Sequence, residues 1–519
     1  AKLAFGGQSD NNVGIGSGAM STGSLNTASN NVAVGKFSLK AVSTGGNNVA
    51  VGAEALDALT GGSFNVAIGS LALSAEDTAI GSIAIGYKSL EVQNGNGKNV
   101  AIGYLSSSRN TTGEKNVMVG YEAGLGTVSG NWSKNVGVGH NALYKLQTGE
   151  QNVALGDSAG FNITTGSKSV GIGANALANI TTDQNVVAIG YNAYFAQDTS
   201  NDAEGSSGHG SGNIAIGYQS MQSFNHVNFL RNTAIGFQTM SAGGDADAQD
   251  NVALGYRALQ FITGGDSNTA IGSKALRANT TGTNNTALGK GALETRVGGN
   301  NNTALGTVTL ANNGGDENTA VGYAALNIAT GSNNVAVGAN ALDSLTTTNN
   351  MVAVGYNAGT TAQHSQAEGG TYIGWEAGKS IYSAGHVTAI GYKALHSLTA
   401  NGNNTAIGSQ ALTSTTGISN TAVGYRAGYS NTTGFNNQYF GRQAGFYGTT
   451  GRSNIAIGYN SQFGASGQTD GDYNVSLGEN TLSGLTTGNH NFAVGSNAGL
   501  SLTSGEQNVI IGMASGDAM

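Results

Sequence analysis

Histidines are the first side chains to consider for chemistry, because imidazole is the commonest metal ligand and general base near neutral pH. None lies in a His-x-x-x-His or His-Glu-x-x-His spacing, which would place two rings on one zinc ion. The chain has no cysteine, so thiolate ligands, cysteine nucleophiles and disulfides are excluded. We therefore expect no metal site, no catalytic residue and no cofactor. The seven histidines are His140, His209, His226, His364, His386, His396 and His490.

Carboxylates and glycine-rich segments offer two further kinds of site. Asp245, Asp247 and Asp250 form the densest acidic cluster, but it lacks the glycine and the distal glutamate of a calcium loop. Residues 81–86 have the glycine spacing of a phosphate loop, but Tyr87 follows where lysine is required. A solvated loop and a chance match in a glycine-rich chain are the favoured interpretations.

These residues lie on many copies of one short repeat. The phrase Asn-Val-Ala-Ile-Gly, with small changes, occurs at 48–52, 65–69 and 99–103. It returns about every 17 residues, and aligning its last glycine gives about 29 copies. A period this short predicts a solenoid, in which each copy forms one turn stacked on the next.

The composition fits a chain with many backbone hydrogen-bond ladders, and it argues against nucleic acid and membranes as partners. Of 519 residues, 85 are glycine and none is proline, which fits a backbone whose N–H groups are needed for ladder bonds. Only 10% of the residues are charged and the net charge is -8, so no basic stripe for nucleic acid is visible. No apolar run reaches the roughly 20 residues of a membrane helix. We expect neither nucleic-acid binding nor membrane insertion.

The repeat is easiest to describe by position relative to its motif glycine. Positions -3 and -1 hold mostly Val, Ile, Leu or Thr, and position -2 is nearly always Ala or Gly. Because residues two apart share a face of a strand, positions -3 and -1 predict one apolar face and position -2 the opposite face. Small side chains allow close approach, so we predict subunit packing at Ala50, Ala67 and Ala101.

Two other positions predict a structural ladder. Position -4 is Asn in about 23 copies, as expected where side-chain amides bond along a stack. The motif glycine is expected to take a corner with positive φ or a close backbone approach. The predicted ladder residues are Asn48, Asn65, Asn99, Asn116, Gly52, Gly69, Gly103 and Gly120.

A second short strand is expected after the glycine, with the pattern Tyr-x-Ala-Leu, followed by a polar turn such as Thr-Thr-Gly. Two strands and two turns would make one coil of a β-roll. Tyr follows the glycine in roughly eleven copies, where its rings could stack along the axis or form a sugar-binding strip. The threonines cluster in the turns and not on a strand face, which argues against an ice-binding surface.

The spacing lengthens near 125–134, 197–212, 241–250, 360–370 and 464–473. Insertions in solenoids emerge as loops, often on the binding face, although surface loops also tolerate extra length at little cost. On the first interpretation, receptor contacts are predicted at Trp132, Asp198, Asp202, Glu204, His209, Asp245 and Asp247.

The repeat resembles the head repeats of trimeric autotransporter adhesins, in copies such as Asn-Val-Ala-Ile-Gly and the serine variant at 169–173. It is also similar to repeats of phage tail fibres. The resemblance implies a left-handed parallel β-roll, a side-by-side homotrimer, and an extracellular location on a bacterial surface, a secreted filament or a virion. The stalk and membrane anchor of the adhesins are not found in the sequence, so we expect a segment of a longer protein or a subunit that polymerises end to end.

Together these features predict one continuous all-β solenoid domain over residues 1–519. The expected function is that of an adhesive or receptor-binding fibre whose partner is a host-cell surface or a glycan. The alternative is a structural subunit of a head-to-tail filament with no specific receptor. Enzymatic activity is not expected.

Overall fold

The computed structural model describes residues 11–21, 25–95, 97–128, 130–195, 212–224, 229–243, 247–312, 315–361, 368–398, 402–465 and 471–516. Contacts divide the chain into two compact units, unit 1 at Ala1–Ser267 and unit 2 at Asn268–Met519. The residues described contain strands and turns and no helix. The predicted all-β class is confirmed, since each unit is a parallel β-solenoid, whereas the single continuous domain stays a prediction.

Each copy of the repeat contributes one strand of three residues. The strands of unit 1 are β1 (Val13–Ile15), β2 (Val32–Val34), β3 (Val49–Val51), β4 (Val66–Ile68), β5 (Ile83–Ile85), β6 (Val100–Ile102), β7 (Val117–Val119), β8 (Val136–Val138), β9 (Val153–Leu155), β10 (Val170–Ile172), β11 (Val187–Ile189), β12 (Ile214–Ile216), β13 (Thr233–Ile235) and β14 (Val252–Leu254). Those of unit 2 are β15 (Thr269–Ile271), β16 (Thr286–Leu288), β17 (Thr303–Leu305), β18 (Thr319–Val321), β19 (Val335–Val337), β20 (Val352–Val354), β21 (Thr371–Ile373), β22 (Thr388–Ile390), β23 (Thr405–Ile407), β24 (Thr421–Val423), β25 (Gln438–Phe440), β26 (Ile455–Ile457), β27 (Val475–Leu477), β28 (Phe492–Val494) and β29 (Val509–Ile511). Within each unit successive strands pair in parallel with the motif in register, so that Ala50 pairs with Ala67 and Ala67 with Ala84.

The middle residue of each strand points into the coil, and its two neighbours point outward. Ala50, Ala67 and Ala101 are fully buried in the core of unit 1. The interior is narrow at this position, since a Cβ added to Gly171 would already lie 3.1 Å from the side chain of Leu177 on the same turn. The prediction that these alanines pack against another subunit is wrong, because none of their surface is left to contact one.

The segment after the motif glycine is a series of turns and not the predicted second strand. Glu54 and Leu56, at positions +2 and +4, have φ values of 58° and 51°, far from extended backbone. Their N–H groups still donate to neighbouring turns, Glu54 to the Lys36 carbonyl at 2.8 Å and Leu56 to the Ala72 carbonyl at 3.0 Å. The second-strand prediction fails because Ala55 and Leu56 are both buried, and a pleated strand cannot turn consecutive side chains inward.

The predicted asparagine ladder is confirmed. The backbone N–H and the Nδ2 of Asn48 both donate to Asn31 Oδ1, at 2.9 and 3.0 Å, and Nδ2 also donates to the Gly62 carbonyl at 2.9 Å. Asn65 and Asn116 bond to the preceding asparagine in the same way. Each amide therefore ties adjacent turns together and satisfies a turn carbonyl inside the coil. The predicted members found in this ladder are Asn48, Asn65, Asn99 and Asn116.

The motif glycines occupy the second predicted ladder position. Gly52 has a φ of 139°, and a Cβ on it would collide with the carbonyl oxygen of Gly69 on the next turn. Positive φ and close approach therefore both require glycine here. The same arrangement is found at Gly69, Gly103 and Gly120.

Candidate functional site

The residues at positions -3 and -1 form an exposed surface in each unit, called here the outer face. Ile68 in unit 1 is 39% exposed and Leu288 in unit 2 is 43% exposed. Across the described strands, no Asp, Glu, Lys or Arg occupies either position. Extended apolar surface of this kind marks an interaction site in most soluble proteins.

Position -3 of the outer face differs between the units. Unit 1 carries Val or Ile on every strand except β13, whereas unit 2 carries Thr on eight strands. These eight residues, called here the Thr rows, are Thr269, Thr286, Thr303, Thr319, Thr371, Thr388, Thr405 and Thr421. The expectation that threonines avoid the strand face is therefore wrong in unit 2, because the β-branched side chain of Thr suits a strand as well as Val does.

The Thr rows also differ from the turn threonines in hydrogen bonding. In the turns, the hydroxyl of Thr432 donates to the Thr449 carbonyl at 2.9 Å, and that of Thr486 to the Thr503 carbonyl at the same distance. The hydroxyls of the Thr rows make no hydrogen bond within the described part of the chain. They are polar groups on a surface that is mostly apolar.

Aromatic side chains at position +1 stack along the edge of the outer face. In unit 1 the ring centroids of Tyr87 and Tyr104 are 5.4 Å apart, and those of Tyr104 and Tyr121 are 5.1 Å apart. In unit 2, Trp375 stacks on Tyr392 at 5.1 Å with an interplanar angle of 9°. The predicted ladder stacking is confirmed. Within these stacks, neighbouring rings cover each other's faces, so a sugar that binds by stacking on a ring face is disfavoured there.

A group of charged residues lies beside the second aromatic column. The Glu376 carboxylate is 2.7 Å from Lys379 Nζ, 3.3 Å from His396 Nε2 and 3.6 Å from Lys393 Nζ. Lys393 Nζ also lies 5.1 Å from the centre of the Trp375 ring. Such a network links successive turns and leaves no free carboxylate for acid–base chemistry.

The protonation of this group follows from the same contacts. Burial acts to raise the pKa of Glu376, but the Lys379 hydrogen bond and the nearby cations outweigh it, so the pKa lies below its ordinary value. Burial lowers the pKa of His396 despite the neighbouring carboxylate. At neutral pH the carboxylate is therefore ionised and the imidazole is mostly neutral.

The predicted receptor contacts have different outcomes. Trp132 is fully buried, with its ring against Gly126 and Gly130. The Trp132 ring thus fills part of the coil interior, and the prediction of an exposed contact at Trp132 is wrong. Asp247 is exposed. The other predicted contacts lie outside the described residues, and they are Asp198, Asp202, Glu204, His209 and Asp245.

Neither models of known protein families nor curated protein sequences match this chain. In the part of the chain that the structure describes, no three His, Asp or Glu side chains form a group that could hold a metal ion. The described residues also contain no helix long and apolar enough to cross a membrane.

The sequence pattern correctly groups positions -3 and -1 on the face opposite position -2, but the close packing predicted at position -2 is against the coil interior and not against another subunit. Alternation showed that positions -3 and -1 share a face, and it could not show which face is inside. The asparagine at position -4 could have indicated which face is buried. Position -4 lies on the same side as position -2 and must be buried to form an amide ladder, so position -2 is inside as well.

Proposed function

We propose that this chain is a segment of an extracellular adhesive or receptor-binding fibre, in which three copies pack side by side through the outer face. The observation that carries the proposal is the absence of charged residues from the outer face of each unit, at positions -3 and -1 of every described strand. The number of copies, the left-handed coil, the location and the adhesive role come from the resemblance to autotransporter adhesins and tail fibres.

The size of the outer face supports association. The fourteen strands of unit 1, each about 10 Å long and about 4.8 Å apart, give a surface on the order of 700 Å². Stable interfaces bury about 800 Å² on each partner, so each unit alone offers nearly a standard interface. Covering this surface would remove apolar groups from water, which is the main driving force for protein association.

Sedimentation equilibrium tests the assembly. We expect a species of three times the chain mass of 51.8 kDa over a wide concentration range. A monomer at high concentration would contradict the proposal. Open-ended growth of the mass with concentration would instead favour the alternative, a structural filament without a receptor.

Receptor binding needs its own measurement. We expect the assembled protein to bind bacterial or animal cell surfaces or a glycan array. Replacement of the 197–212 insertion by a short turn should reduce this binding without changing the number of copies in the assembly. If the protein assembles from three copies but binds no surface, the proposal of a fibre would stand and the proposal of an adhesive role would be contradicted.

A further inference from the structure

We infer that the Thr rows set the axial register between copies of this chain packed through the outer face. This inference rests on the proposed function and assigns to eight residues a role in specificity. The partner is a second copy of the same chain, and the recognition chemistry is the pairing of hydroxyl groups within an apolar interface.

The Thr rows form a pattern along unit 2. Thr269, Thr286, Thr303 and Thr319 are direct neighbours on paired parallel strands. The next two strands carry Val at the same position. Another four threonines follow in direct register, and they are Thr371, Thr388, Thr405 and Thr421. Position -3 therefore reads four Thr, two Val, four Thr along the axis.

This pattern distinguishes aligned copies from slipped ones. When copies lie side by side at the same height, each threonine meets a threonine, and a hydroxyl can donate to one partner and accept from another. A slip of two strands moves Val335 and Val352 against threonines and buries hydroxyls without partners, which is unfavourable. Valine methyl groups alone penalise no slip. The Thr rows thus make slipped registers less favourable in free energy than the aligned one. Many interfaces achieve specificity by disfavouring the wrong arrangement in this way.

Ordered water is the other candidate occupant for a regular array of hydroxyls. The neighbouring position -1 argues for a second copy, because it carries Ile, Leu or Val beside every threonine of the rows, as at Ile271 and Ile390. Of these, Leu288 and Leu305 are 43% and 42% exposed. A partner chain would cover these apolar side chains together with the hydroxyls, whereas water would leave them exposed.

The test measures register directly with a spin label. The chain has no cysteine, so Ser409→Cys gives one labelling site per copy, at position +1 of the turn that carries Thr405. Distances between labels in the assembly are measured by pulsed electron paramagnetic resonance in three backgrounds: the native rows, all eight threonines changed to Val, and all eight changed to Ser. The serine variant keeps the hydroxyls and is the matched control, and hydrogen exchange confirms that each variant is folded.

We expect one narrow distance for the native and serine backgrounds. The valine background should remain associated and should add longer distances, because each strand of slip displaces one label by about 4.8 Å along the axis relative to its partner. Several distances in the native protein, or a single unchanged distance in the valine variant, would overturn the inference while leaving the fibre intact. A monomer would overturn both proposals, and a monomer that slows ice growth would assign the rows to ordered water.

Discussion

The ring of Tyr372 occupies the space beside Gly378 that a leucine fills in other turns. A Cβ on Gly378 would collide with this ring. The next turn has Ala389 and Leu395 at the two corresponding positions, and both are fully buried. Gly378 and Leu395 have nearly the same φ, 58° and 49°. The side chains at positions -2 and +4 therefore fill one shared interior volume. The same backbone accommodates a large residue at -2 with Gly at +4, or Ala at -2 with Leu at +4.

Exchange of the two side chains tests this shared volume. Tyr372→Ala should cost about 3–5 kcal/mol, as other large aromatic truncations do, and Gly378→Leu about 1–3 kcal/mol through overpacking. The double variant recreates the pair of the next turn, so its loss should be smaller than the sum by about 1 kcal/mol or more. Hydrogen exchange across residues 371–378 measures the local free energy of opening. Strict additivity would show that the two residues do not compete for volume.

The asparagine ladder should contribute strongly to stability. Asn48→Ala leaves the Gly62 carbonyl and the N–H groups of Asn65 without their partners, at about 1–3 kcal/mol for each buried group. Asn47→Lys is the control, because Asn47 is exposed and Lys98 has the corresponding position and a similar φ. Chemical denaturation should show a lower midpoint for Asn48→Ala alone. Equal midpoints would mean that the amide bonds contribute no net stability.

Glu76 should make stability depend on pH. Its Oε1 accepts N–H groups of Thr78 and Ala79 at 3.0 and 2.7 Å, while Oε2 is buried without a partner. Burial raises the pKa of Glu76 above 4.5, and the backbone hydrogen bonds only partly oppose this shift. The protonated side chain is thus favoured in the folded state, so its contribution is complete below pH 4.5 and is lost as the pH rises through the folded-state pKa.

The corresponding variant is Glu76→Gln, which keeps one acceptor oxygen and cannot ionise. We expect it to flatten the fall in unfolding free energy above pH 4.5, measured by denaturation at several pH values. Glu150→Gln, at an exposed position, should leave the profile of the native protein unchanged. A native profile that is already flat, or that rises with pH in this range, would contradict the account of Glu76.

Charge on the outer face should weaken association. Ile102→Lys places an ammonium group on an apolar surface of unit 1, where a partner chain would bury it without a counter-ion. Thr112→Lys adds the same charge at an exposed turn. Sedimentation equilibrium should show at least a tenfold weaker association for Ile102→Lys, and no change for Thr112→Lys. Equal effects would indicate a general response to charge.

The sequence was sufficient to predict the period, the strands, the asparagine ladder and the glycine corners, because each follows from a residue type repeated at a fixed spacing. It was not sufficient for the second side of the coil. There, single-residue preferences point away from the observed backbone, since Leu56 and Leu73 adopt positive φ, which leucine disfavours. Bonds to neighbouring turns outweigh that preference in a stacked array.

The interior position of Trp132 also depended on information beyond its own repeat. A tryptophan in an insertion is predicted to be an exposed loop residue. The absence of side chains at Gly126 and Gly130 leaves the space that its ring occupies inside the coil. Likewise, Ile68 and Leu288 are exposed because the asparagine at position -4 and the alanine at position -2 point into the coil. The apolar pattern alone could not decide which face of the strand is buried.

The most direct test of the central claim is a cryo-electron microscopy reconstruction of the purified protein. We predict three parallel copies at the same height, with Val100 and Ile102 of each copy facing the shared axis and Ala101 inside its own coil. Single chains with an open outer face, or copies that touch only through their turns, would contradict the account.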